Sequence, residues 1–321
     1  MTLIPLKAIA LTLLKELGLA LLLLLGVSIV VFVILYAAPG DQFNVLLEGQ
    51  LPTAEARAGI RVAMGAAQSW YGQYFSWLLG VLSGNFGTSV RTGLPVAGEL
   101  LNVSLNTLYL TLGSMAVTLL IAVPIALYSS VRGHSVAVSR ALTMLGYLIS
   151  ALPVFWLGYI AIYISIHSFN FFPLASSSQI HGGSDWLYTL VPVLVLGLGN
   201  GSISEVIRNL REEMSRVMAD DYIRTARAKG ASVWRHAFKE GLLLPVTEII
   251  ASKIPFILGG AVIVEQVFNW PGMGRMAWQA AQDRDFPVMM GIVLVAAVFV
   301  RLGSLIQRIV CAAVNPQGAR D

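Results

Sequence analysis

The residue types that carry most enzyme chemistry are sparse in this chain and badly placed for it. The four histidines, His134, His167, His181 and His236, are scattered, and Cys311 is the only cysteine. No HExxH, GxSxG or CxxC spacing occurs, and no Cys/His cluster offers the ligand set of a metal or redox centre. The dipeptide Gly-Lys is absent, so no phosphate-cradling loop with its lysine exists and the chain is not expected to hydrolyse ATP by itself. No catalytic residue, metal ligand or bound cofactor is expected.

What remains is charge in unusual places. Glu248, Lys253, Glu265 and Arg301 lie within long apolar runs, where an ionisable side chain is costly and marks function by default. Glu248 and Lys253 are near one end of their run and fit an interfacial position, Glu265 lies near the other end, and Arg301 falls mid-way along its run. One hydrophilic segment stands out, reading MADDYIRTARAKGAS from Met218 to Ser232. Asp220 and Asp221 are placed for a helix start, Arg227 and Lys229 for its carboxyl end, and Gly230 for a left-handed cap. Helical spacing puts Tyr222, Ala226 and Gly230 on one stripe with Ile223 beside them, a small-residue face that lets another surface come close. A solvated amphipathic connector fits the same pattern. Glycine pairs four apart, Gly80/Gly84 and Gly197/Gly201, suit close helix approach but also arise by chance among 30 glycines.

The elements that must carry these residues are set by composition. Of 321 residues, 56% are hydrophobic and only 12% charged, against about 25% charged in soluble domains, so the chain is an integral membrane protein. The apolar runs are long and continuous, which excludes a barrel of alternating strands and predicts an all-α fold. Six spans are expected: Leu17 to Tyr36, Val103 to Tyr128, Ala141 to His167, Leu187 to Ser204, Val246 to Phe268 and Val288 to Val314. The first exceeds the apolar core of a signal peptide and is followed by a poor cleavage site, so it is expected to be retained. Pro153 and Pro192 allow kinks in the third and fourth spans.

Between the first two spans, Pro39 to Asn102 is polar. Within it, Ser69 to Leu82 carries Trp70, Tyr71, Tyr74, Phe75 and Trp77, which suits either a helix at headgroup level or simple loop packing. With an inside amino terminus, Lys7, Lys15, Arg132, Arg140, Arg320 and the eight basic residues from Arg208 to Lys239 are inner. Arg57, Arg61, Arg91, Arg275 and Arg284 are outer. The division, 13 against five, places both termini in the cytoplasm.

The segment YIRTARAKG, ending at Gly230 and followed by RHAFKEGLLLP, resembles the cytoplasmic loop of ABC importer permeases, whose signature is Glu-Ala-Ala, three residues, then Gly. Arg224, Thr225, Ala226 and Gly230 occupy those positions, and the Arg-Thr-Ala form resembles the oligopeptide/dipeptide/nickel subfamily. LSGNFGTSV (Leu82 to Val90), GYLISALPVFWLG (Gly146 to Gly158) and GGAVIVEQVFNWPGMGR (Gly259 to Arg275) resemble that subfamily in the same order.

The resemblance implies a type I ABC importer fold with six transmembrane helices, in the cell inner membrane. Its parts would be a first segment 1–36, an extracytoplasmic region 37–102, a permease core 103–314 with a coupling loop 205–245, and a tail 315–321. It implies a second homologous permease, two cytoplasmic ATPases that hold ATP and Mg2+, an extracytoplasmic solute-binding protein, and passage of a peptide, nickel complex or similar solute; nucleic acid has no part. Tyr222, Arg224, Thr225, Ala226 and Gly230 would dock an ATPase. Glu265 would be the acid before an aromatic turn, in which Trp270, Pro271, Gly272 and Gly274 form a reentrant or lid-like loop at the outer interface. The rivals are an ion-driven secondary transporter using Glu248, Lys253 and Arg301, against which the absence of an inverted repeat speaks, and a non-transporting scaffold.

Overall fold

The computed structural model describes residues 6–38, 69–130, 136–174, 185–199 and 201–314. Among these the regular elements are helical, with one isolated bridge pairing Thr88 with Pro95. The helices are α1 Leu6–Ala37, α2 Trp70–Leu82, α3 Val96–Ser130, α4 Val136–Ala151, α5 Val154–Phe169, α6 Asp185–Leu198, α7 Ser202–Ala219, α8 Asp221–Ala228, α9 Val233–Phe238, α10 Leu244–Val267, α11 Met273–Asp283 and α12 Phe286–Val314. Contacts divide the chain into two compact units, one of residues 1–106 and 272–299, the other of residues 107–271 and 300–321.

In the first unit, α1 contains the first expected span and α2 lies on it through an aromatic contact. Tyr74 is buried, its hydroxyl 2.9 Å from Ser28 Oγ and its ring edge-on to Phe32 at 5.3 Å. Trp70, Tyr71, Phe75, Leu79 and Leu82 stay exposed, so the aromatic segment is a helix with one face on α1 and an apolar face outward. The following loop contains the GNFGTSV run. Gly84 and Gly87 both adopt positive φ, and Asn85 Oδ1 accepts the Gly87 N–H at 2.9 Å. Its anchor is Asp285, buried at the start of α12. One carboxylate oxygen accepts the Val288 N–H at 3.4 Å, as a helix cap does, and the other accepts the Ser89 hydroxyl at 2.5 Å and the Arg91 N–H at 3.2 Å.

In the second unit two expectations give way. Ala141 to His167 is not one continuous helix: α4 and α5 meet at 97° across Leu152 and Pro153. A residue before proline avoids the helical region, so α4 stops there, and Pro153 with φ −58° starts α5 afresh. Glycines then seat the two arms. A Cβ on Gly146 would lie 3.1 Å from Ile207 Cδ1 on α7, and one on Gly158 would lie 2.9 Å from Val267 Cγ1 on α10. Leu187 to Ser204 likewise breaks, but after Gly199 and not at Pro192, with a 55° bend and Gly201 at φ +71°.

Beyond that bend, what reads as a hydrophilic loop is the 18-residue helix α7. Its residues Ile203, Val206, Ile207, Leu210, Met214 and Val217 recur at helical spacing and are all buried. Above it, Leu110, Val154, Val193, Leu196, Val264 and Phe268 form the main core. Lipid tails are as apolar as leucine, so close contact and not water exclusion must hold such helices together. Gly197 provides it: a Cβ there would sit 2.7 Å from the Ser114 carbonyl on α3, while Val193 packs over Gly113. Its expected partner, Gly201, serves the bend, while Gly80 lies in the last turn of α2, where its carbonyl accepts the Ser83 and Asn85 N–H groups, and Gly84 lies in the turn beyond.

Three helices, α1, α3 and α12, are long and apolar enough to cross a membrane, and up to five spans result if each bent pair counts as one. The 24-residue α10 has the length as well, about 36 Å at 1.5 Å per residue, although its side chains 252–257 lie outside the described residues.

Candidate functional site

The segment around YIRTARAKG folds as read, into the eight-residue helix α8 between α7 and α9. Its end is a left-handed cap: Gly230 has φ +67°, its N–H donates to the Arg227 carbonyl at 3.1 Å, and the Ala231 N–H donates to the Ala226 carbonyl at 2.9 Å. Asp220 occupies the N-cap position without a side-chain hydrogen bond, and Asp221 pairs loosely with Arg224 at 3.3 Å on the surface.

The faces of α8 differ from those expected. Ile223 and Ala226 are buried, and Ile223 packs with Met214 and Val217 of α7 and Ala237 of α9. Tyr222, Arg224, Thr225 and Gly230 are exposed. Ala226 therefore faces the chain's own interior, because the apolar Ile223 must be covered and Ala226, three residues on, shares its side. The surface α8 offers is polar and aromatic, not a small-residue stripe.

The second site is the end of α10. Glu265 is fully buried, and its Oε1 accepts the Thr107 hydroxyl of α3 at 2.7 Å. Its backbone carbonyl accepts the Trp270 N–H at 2.8 Å, closing a helix cap in which Asn269, not a glycine, is left-handed at φ +53°. Glu265 thus secures the turn through both side chain and backbone. Trp270 is 8% exposed and belongs to the core, whereas the sequence places it at an interface. It shares that core with Val264 and Phe268, and Pro271 beyond it is exposed. Gly272 is extended at φ −112° and begins α11, within which Gly274 is buried.

Thr107 belongs to a row that sequence reasoning passed over, Ser104, Thr107, Thr111, Ser114 and Thr118, all buried on one face of α3. The spacing of three and four was its available signal. In the second unit, Thr118 donates to the carbonyls of Ser114 and Gly197 at 3.0 and 2.7 Å, and Ser114 donates to the Thr111 carbonyl at 2.9 Å. The Thr111 hydroxyl has no hydrogen-bond partner among the described residues.

Glu248 is exposed near the start of α10, Arg301 is half-buried on α12 and engaged within the chain, and the Lys253 side chain lies outside the described residues. Of the histidines, His167 stacks on Tyr163 at 4.1 Å, and His236 Nδ1 is 2.8 Å from the Ser232 carbonyl. No cluster of three or more potential metal ligands occurs among the described residues.

Family comparison gives this geometry its context. Residues 120–317 match the model of the binding-protein-dependent transport system inner membrane component, and residues 10–123 match that of the corresponding amino-terminal component. The chain is 36% identical over 303 residues to the oligopeptide transport system permease protein AppB of Bacillus subtilis (strain 168), covering 92% of this chain and 95% of that one. It is 33% identical over 300 residues to the glutathione transport system permease protein GsiC of Salmonella typhimurium, covering 91% and 94%. It is 29% identical over 338 residues to the dipeptide transport system permease protein DppB of Escherichia coli (strain K12), covering 95% and 97%. These matches overturn the secondary-transporter alternative. The chain belongs to the binding-protein-dependent transport system inner membrane component family, and is a multi-pass inner-membrane permease of an ATP-binding-cassette importer.

Proposed function

We propose that this permease forms half of a translocation pathway for a peptide or similarly small solute, crosses the membrane six times with both termini in the cytoplasm, and pairs with a second homologous permease. A soluble binding protein delivers the solute from outside, and two cytoplasmic ATPases supply the work, holding ATP and Mg2+ on their own residues. The observation that carries this is α8, a short helix capped at Gly230, seated on α7 and α9 through Ile223 and Ala226 and presenting Tyr222, Arg224 and Thr225 outward. Such an element transmits force because it is braced on one side and free on the other. The names of the relatives support a peptide-like cargo. The test is reconstitution: with partner permease, ATPases and binding protein, labelled peptide enters vesicles only with ATP, and ATP-independent uptake by the single chain overturns the assignment.

Two further outcomes are expected. Purified alone in lipid, the chain shows no ATP hydrolysis above background, since it has no Gly-Lys phosphate loop; turnover by the pure chain would contradict this. Single cysteines at Gln73 and Asp283, in a Cys311→Ser background, are labelled from outside, and one at Ser232 only from the cytoplasm. The motive is the 13 to five division of basic residues. Outside labelling at Ser232 inverts the topology.

A further inference from the structure

Between α4 and α7, within the second unit, lies an open groove of about 470 Å³, inside the roughly 300–1,000 Å³ range of small-molecule sites. Thr143 and Tyr147 line it from α4, and Arg208, Arg211, Glu212 and Ser215 from α7. The α7 residues are spaced three, four and seven apart and so share one face, pointing away from the buried stripe of that helix. Ile207, held against Gly146, brings the two helices together beside it.

The charges here are unlike those nearby. Arg216 pairs with Glu213 and Arg224 with Asp221, yet Arg208 and Arg211, one turn apart and exposed, have no acidic partner among the described residues. Two guanidiniums over a groove containing hydroxyls suit a phosphate, which takes forked donors well. On the same α4 as Tyr147, Met144, Leu145 and Leu148 are exposed. An ion in water does not need exposed apolar side chains nearby, but acyl chains do.

We propose that the groove holds the headgroup of a membrane phospholipid, its phosphodiester between Arg208 and Arg211 and its tails along Met144, Leu145 and Leu148. Glu212 stands at the same groove and would oppose a bare anion. Its carboxylate instead pairs with the ammonium of an ethanolamine headgroup, which makes phosphatidylethanolamine the preferred occupant over phosphatidylglycerol.

The test is native mass spectrometry of the assembled transporter in detergent, titrated with phosphatidylethanolamine or phosphatidylglycerol, with inorganic phosphate as competitor. The wild type retains a lipid that the double variant Arg208→Gln/Arg211→Gln binds roughly tenfold or more weakly. Glu212→Gln lowers retention of the ethanolamine lipid and leaves that of the glycerol lipid unchanged. The intact complex mass in the same spectra shows that the variants fold and assemble. Equal lipid binding by wild type and double variant overturns the proposal. So does displacement of the lipid by millimolar phosphate, which marks a free-anion site, or loss of ATPase subunits with lipid number unchanged, which marks a protein contact. Any of these leaves the permease assignment intact.

Discussion

Thr107→Val is expected to lower the melting temperature of the assembled transporter by about 2–12 °C and to reduce transport with it. Valine keeps the shape of threonine, so packing on α3 is nearly conserved and the change removes the hydroxyl that donates to Glu265 Oε1 at 2.7 Å. Leaving a buried acceptor without its donor costs about 1–3 kcal/mol, and each 1 kcal/mol shifts the midpoint by roughly 2–4 °C in proteins of 150–250 residues. Glu265 also carries the cap that holds Trp270, so slack at the carboxylate is felt at the turn into α11. Glu265→Leu leaves the Thr107 hydroxyl without this acceptor and also destabilises. The double variant Thr107→Val/Glu265→Leu recovers part of the loss, because replacing both polar partners by apolar groups of similar size is much less costly than orphaning one. The measurement is a double-mutant cycle on midpoint and on ATP-driven uptake. Strict additivity of the two single changes, or a Thr107→Val protein within 1 °C of wild type, would show that the bond does not secure the turn.

How far such features can be read from sequence depends on whether their cause is local. Gly230 could be read because a helix end is written in a few residues: acids at the start, cations at the finish, glycine at the left-handed position. Asp285 is equally local, since an aspartate before Phe-Pro is a helix-start signal, but its bonds to Ser89 and Arg91 reach across 196 and 194 residues and are not written in the neighbouring sequence. The stripe of α7 was hidden differently. Its six apolar positions are diluted by Arg208, Arg211, Glu212, Glu213 and Arg216, so a search for continuous apolar runs steps over it while a helical period finds it.

The 97° corner at Pro153 lies on another level. Proline dictates that the helix stops, but not where the next one goes. That direction is set by contacts with residues far away in sequence, Gly146 against Ile207 and Gly158 against Val267. Asn269 makes the same point on a smaller scale: with glycines at 272 and 274 in view, sequence assigns the turn to them, whereas the bonds from Trp270 to Glu265 and from Asn269 to Gln266 place the left-handed residue at the asparagine.

Gly230→Val is expected to leave insertion and assembly of the permease intact while uncoupling ATP hydrolysis from uptake. A Cβ at residue 230 meets nothing within 4 Å, so the substitution produces no clash inside the chain. Its cost is conformational. At φ +67° a side chain is strained by about 1–2 kcal/mol, more for a β-branched one, and relaxing the strain gives up the bonds from Gly230 to Arg227 and from Ala231 to Ala226. About 2 kcal/mol does not unfold a chain of this size, but it shifts the population of a correctly ended α8 by roughly 30-fold. Gly230→Asn separates the causes, since asparagine tolerates the left-handed region and should retain most of the coupling. Ala226→Trp acts by another route. Ala226 is buried beside Ile223, so the indole must displace α7 or α9, and the variant loses stability before docking is ever tested. The measurements are membrane yield, ATPase co-purification, and peptide taken up per ATP hydrolysed. If Gly230→Val takes up peptide at the wild-type ratio with its ATPases bound, α8 is a connector and force enters the permease elsewhere. If Gly230→Asn fails as badly as Gly230→Val, the glycine is needed for the space it leaves to a partner and not for its backbone.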